Sequence, residues 1–118
     1  MIKGILLHQG ESNPDNQKWP DKVQGIYDTL IKDLNLKAGE VPLLAGETVH
    51  ADQQGTCAGF NKIMAELPQT LPNSHVISSA GCTSNDRLHF NSAGSREFGK
   101  RYGEKMLSLL EHRGAIPK

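Results

Sequence analysis

Two short polar clusters carry the residue types of proton transfer: His8-Gln9-Gly10-Glu11-Ser12-Asn13 and, well downstream, Asp86-Arg87-Leu88-His89-Phe90. Asp86 and His89 are three residues apart. On a turn entering a helix, that spacing lets the carboxylate reach one imidazole nitrogen and leaves the other facing a cleft. Such a carboxylate fixes the ring tautomer and stabilises the imidazolium formed when histidine takes a proton from a nucleophile. The competing role for the same residues is a turn capped by Asp86, with His89 packed beside Phe90.

In the first cluster, Gly10 lets the backbone approach a bound molecule closely, and its N–H, helped by the Gln9 amide, is suited to a developing oxyanion. A glycine that only makes a turn is the alternative. Glu11 is a second carboxylate that can orient toward His89, order the neighbouring loops or stand solvated. His8 either lines the cleft or is a hydrogen-bonded residue at a strand end. His50, His75 and His112 lack partners at metal-ligand spacing and are expected to be surface or satisfied residues, so no metal is implied. Cys57 and Cys82 have neither zinc nor redox-pair spacing and are expected to be ordinary thiols.

The elements that position these groups follow from hydrophobic periodicity. Residues 2–7, 41–45 and 75–79 are short apolar runs, each ending in glycine or a polar cluster, and suit parallel strands buried on both faces. Val23, Ile26, Tyr27, Leu30, Ile31 and Leu34 repeat at helical spacing behind Pro20, a residue suited to a first helical position. Phe60, Ile63, Met64 and Leu67 form a second stripe, with Pro68 expected to stop it. Phe98, Tyr102, Met106, Leu109 and Leu110 form a third, capped by Asn91 or Ser92.

Strands alternating with helices predict right-handed βαβ crossovers and an α/β class, a parallel sheet with helices on its faces. In such a sheet, ligands bind outside the carboxyl ends of the strands. His8 to Asn13, Gly46-Glu47-Thr48 and Ser78-Ser79-Ala80-Gly81-Cys82 all fall at those ends, the last leading toward Asp86 and His89. A sheet of three strands also leaves backbone groups unpaired at an edge, which something is expected to cover.

With 118 residues, the chain fits a single domain over residues 1–118. Its 13 basic and 13 acidic residues balance to zero, which leaves no basic stripe for nucleic acid and no polybasic anchor for a lipid surface. No apolar run approaches the roughly 20 residues of a membrane span, and the start lacks the pattern of a secretory signal. A soluble chain of open localisation is expected.

The first cluster with its preceding run Ile2-Lys3-Gly4-Ile5-Leu6-Leu7, and the second with the following Gly94, Arg101 and Tyr102, resemble carbohydrate esterase family six. That group holds the sialate O-acetylesterase-like and acetylxylan esterase-like enzymes of the SGNH hydrolase superfamily. The resemblance covers nearly the whole chain and implies a flavodoxin-like three-layer α/β/α sandwich. It implies a serine-type ester hydrolase removing acetyl groups from sugar hydroxyls without cofactor, with His89 as base and Asp86 or Glu11 as its acidic partner. Gln9 and Gly10 would belong to the block shaping the oxyanion hole. The family's early Gly-Gln-Ser-Asn block, whose serine attacks the ester, has no counterpart here. Ser12 sits in Gly10-Glu11-Ser12-Asn13-Pro14, which is not a Gly-x-Ser-x-Gly elbow, and no other serine has such surroundings. The chain therefore matches the C-terminal part of such an enzyme. A complementing N-terminal part, or a second copy making a homodimer, is the expected partner at the open sheet edge, and an acetylated carbohydrate the expected substrate. A catalytically inactive fragment that binds glycans or pairs through that edge is the alternative.

Overall fold

The computed structural model describes residues 1–12 and 14–114, with side chains described as far as Glu111. Asn13 of the first cluster and the His112 side chain lie outside the described residues. Three parallel strands form the sheet: β1 (Ile5–Leu7), β2 (Leu43–Gly46) and β3 (Ser74–Ile77), in the spatial order β1-β2-β3. The helices are α1 (Trp19–Asp33), α2 (Phe60–Met64), α3 (Leu67–Thr70) and α4 (Ser92–Gly114). The register pairs Leu6 with Leu44 and Leu44 with His75. Backbone bonds extend the strands at Ile5 N–H to Pro42 O (2.9 Å) and Glu47 N–H to Ile77 O (3.0 Å).

Because strand side chains alternate between faces, the sheet separates two cores. On one face Ile5, Leu7, Leu43, Ala45 and Val76 meet Trp19, Val23 and Tyr27 of α1 together with Phe60, Met64 and Leu67. On the other, Leu44 and Ile77 meet Cys82 and Phe98, flanked by Phe90, Tyr102 and Met106. The result is three layers, with α1 to α3 below the sheet and α4 above it, as the α/β reading expects. Complete burial of Leu44 contributes about 1.5–3 kcal/mol.

Several expectations need correction. β1 lies at an edge of the sheet and is not buried on both faces: Leu6 is 62% exposed. Its ladder begins only at Ile5, because residues 2–4 have no paired strand position. The second stripe is two helices. Pro68 stands in the first turn of α3, where its missing N–H costs nothing, so it starts a helix where a stop was expected. In α1 the buried residues are Trp19, Val23 and Tyr27, while Ile26 and Leu34 point to solvent; Leu34 is the C-cap. Tyr27 is buried because its hydroxyl lies 2.6 Å from Val41 O and 2.9 Å from Ala38 O. Asn91, the expected cap of α4, accepts the Gly94 N–H at 2.8 Å.

Among the described residues, no helix is long and apolar enough to cross a membrane.

Candidate active site on the carboxyl rim of the sheet

The exits of all three strands meet on one rim. After β1 come His8 to Glu11, after β2 Glu47 to His50, and after β3 Ser78 and Ser79, which lead into a short hairpin closed by the Ser84 and Phe90 bridge. The Asn85 N–H donates to His89 O at 2.7 Å across that hairpin. Its tip carries Asp86, Arg87, Leu88 and His89.

Asp86 fills both roles that its spacing allows. One carboxylate oxygen caps the turn, accepting the His89 N–H (2.8 Å) and the Leu88 N–H (3.1 Å). The other lies 2.9 Å from His89 Nδ1. The imidazole bond, then the two backbone N–H groups, hold the Asp86 carboxyl down at about 2. The same bond, followed by the carboxylate charge and a smaller push from Glu11, raises the His89 imidazole above its ordinary value. His89 Nε2 has no hydrogen-bond partner among the described residues and is the nitrogen open to a proton donor. The two side chains are 66% and 56% exposed, so solvent screens their attraction. Arg87 between them has φ +72°, a conformation non-glycine residues rarely adopt, and its carbonyl is held by the Thr56 N–H at 2.9 Å.

The first cluster approaches the same rim. Glu11 lies 3.7 Å from His8 Nε2, and its charge reaches His89 through space without a direct bond. His8 stands edge-on to Phe98, with ring centroids 5.4 Å apart, and 5.9 Å from Phe90. The Gln9 side-chain Oε1 accepts the Trp19 indole N–H at 2.7 Å, which fixes the amide against the top of α1. Gly10 is buried, and a Cβ there would stand 2.3 Å from the Phe60 ring, so packing alone already requires glycine. Cys57 and Cys82 are free and buried, and burial raises both thiols. His75 is half-buried, and burial, then the Lys105 charge, lowers its imidazole.

Three groups named through the resemblance hold this rim together. A Cβ on Gly94 would lie 2.2 Å from Thr83 O, so glycine is needed where α4 crosses the loop. Arg101 donates to Ser78 O at 2.9 Å. Tyr102 donates its hydroxyl to Leu7 O at 2.6 Å; burial, the largest influence, pushes its phenol up to about 12.

The pairing of Glu47 with His50, whose Nε2 lies 2.6 Å from the carboxylate, was not foreseen. Its signal was present: an acid followed at the third position by histidine, the spacing of Asp86 and His89. Beside the rim, the outer edge of β1 and α4 bound an open groove of about 520 Å³, lined by Leu6, His8, Phe90, Phe98, Tyr102 and Met106 among others. No three His, Cys, Asp or Glu side chains cluster for a metal ion among the described residues.

Residues 1–108 match the family model of carbohydrate esterases described as sialic acid-specific acetylesterases.

Proposed function

The chain belongs to the carbohydrate esterase family of sialic acid-specific acetylesterases, and from that premise we propose that it carries the acid–base half of a carbohydrate O-acetylesterase centre of the sialate O-acetylesterase or acetylxylan esterase type. The observation that carries the reading is the 2.9 Å bond between Asp86 and His89 Nδ1, which leaves Nε2 open on the rim.

In this reading His89 takes the proton of an attacking hydroxyl while Asp86 stabilises the imidazolium. The hydroxyl oxygen adds to the acetyl carbonyl, and the charge that develops on the carbonyl oxygen is met by the Gly10 N–H and the Gln9 block. His89 then returns the proton to the departing sugar oxygen, leaving an acetyl-enzyme that water hydrolyses by the same two steps. No serine hydroxyl among the described residues bonds to His89. In this reading the attacking serine comes from a segment that complements this chain.

The test is a pair of measurements. Adding O-acetylated sialic acid is expected to shift the His89 and Phe90 ring resonances, with a smaller effect from the deacetylated sugar. Acetate release by the chain alone is expected to stay within about a thousandfold of the uncatalysed rate. A rim unmoved at saturating sugar would overturn the reading. A fast acetate burst lost in Ser12→Ala would move the nucleophile into this chain.

A second reading is favoured by one observation: the outer edge of β1, beside the exposed Leu6, pairs with no strand among the described residues. Here the chain is an inactive relative that binds glycans on its rim or pairs through that edge with a second copy. Light scattering after size exclusion tests the pairing, and a strictly monomeric chain contradicts it.

A further inference from the structure

We propose that Glu47 is a positioning residue for the Asp86 and His89 pair, because its carboxylate stands where the two supports of the hairpin carrying that pair divide. The proposal rests on the reading of His89 as the site's base.

The inner support runs through the start of the hairpin. Glu47 Oε1 accepts the Ser79 N–H at 2.9 Å. Ser79 is fully buried; its hydroxyl donates to Thr48 O at 2.7 Å, and its carbonyl accepts the Cys82 N–H at 2.9 Å. Cys82 is packed in the core under α4, and two residues later Ser84 makes the bridge to Phe90 that closes the hairpin.

The outer support runs through His50. The same Glu47 oxygen lies 2.6 Å from His50 Nε2, and the His50 carbonyl accepts the N–H groups of Gln53 and Gly55. That turn delivers two groups to the hairpin: the Thr56 N–H to Arg87 O at 2.9 Å, and Gln53 O to the Ser84 hydroxyl at 3.4 Å. Arg87, in its left-handed conformation, lies between the two residues of the pair, so the bond from Thr56 sets where the tip can sit. Glu47 is itself fixed by its N–H on Ile77 O at the end of β2. One carboxylate thus ties the base of the hairpin to one branch and its tip to the other, both anchored to the central strand.

The experiment follows the His89 ring by NMR through a pH titration in the full chain, together with amide exchange at Thr56. It uses no turnover, so it remains decisive even if the chain hydrolyses no ester. The charges acting on His89, Asp86 and Glu11, are left in place. In Glu47→Ala the His89 midpoint is expected to fall toward its ordinary value by about half a unit or more as the pair loosens, and Thr56 exchange to rise. In Glu47→Gln, whose amide oxygen still accepts the Ser79 N–H, both are expected to return most of the way. His50→Ala cuts only the outer branch and is expected to speed Thr56 exchange and to lower the midpoint by a smaller amount. It decides the matter if Glu47→Ala does not fold. An unchanged His89 midpoint in a folded Glu47→Ala or in His50→Ala would overturn the proposal. So would a Glu47→Gln chain as disturbed as Glu47→Ala.

Discussion

Replacing Tyr102 with phenylalanine removes one oxygen and little volume, yet that oxygen ties α4 to β1 beneath the candidate site. It donates to Leu7 O at 2.6 Å, at the carboxyl end of β1 and against Gly46 of β2. Gly46 has no side chain because a Cβ there would meet this hydroxyl and the Phe98 ring. Tyr102→Phe therefore removes one hydrogen bond in a confined space, at a cost of about 0.5–1.5 kcal/mol. Unfolding entropy near 60 °C is about 2.1 cal/mol/K per residue, hence roughly 0.25 kcal/mol/K for a chain of this length, so each kcal/mol moves Tm by about 4 °C. The expected loss is about 2–6 °C, read by calorimetry. A change below about 1 °C would show that water replaces the hydroxyl freely, and that Tyr102 does not tie α4 to β1.

The two sides of Leu44's sheet face give a second contrast. Leu44→Ala is expected to cost about 2–5 kcal/mol, since the residue is wholly enclosed, whereas Leu6→Ala at the register position beside it is expected to cost under about 1 kcal/mol. Equal losses in urea denaturation would mean that β1's edge is covered in solution. Gly94→Ala places a Cβ against Thr83 O and is expected to destabilise by about 1–3 kcal/mol; a neutral result would mean that the loop yields.

The pH dependence follows from Asp86 and His89. The Asp86 carboxyl is depressed to about 2, so its contribution is present above its unfolded value and lost as pH falls toward 2. The His89 imidazole is raised, so its contribution is present below its unfolded value and lost as pH rises through the folded one. The pair contributes fully only between about pH 4 and 6.5. The stability gap between the wild-type chain and Asp86→Asn is expected to be larger at pH 5 than at pH 8, and a gap independent of pH would contradict the pairing.

The features legible in the sequence are those with local causes. The apolar runs of all three strands, the cap at Asn91 and the contact of Asp86 with His89 depend on neighbours within a few positions, so spacing reveals them. Pro68 misled because the same residue stops one helix and starts the next, and only the chain's path after Met64 distinguishes the two. The depth of β1 in the sheet was not legible either: the run around Leu6 is as apolar as that around Leu44, and what differs is the number of strands beside it. The link from Glu47 to Ser79 spans a strand crossover, and nothing in either segment names the other. The backbone freedom of Gly10 is legible from its residue type, whereas its neighbour Phe60 comes from a distant helix.

The central claim, that Asp86 holds His89 with Nε2 free to take a proton, is tested most directly by the tautomer of the neutral His89 ring. Long-range nitrogen–proton NMR of the ring, recorded above its titration midpoint, distinguishes the two forms. A proton on Nδ1, directed at Asp86, with an unprotonated Nε2, is the expected result, reverting to the Nε2–H form in Asp86→Asn. A wild-type ring that carries its proton on Nε2 would contradict the account, because a nitrogen already protonated cannot serve as the base.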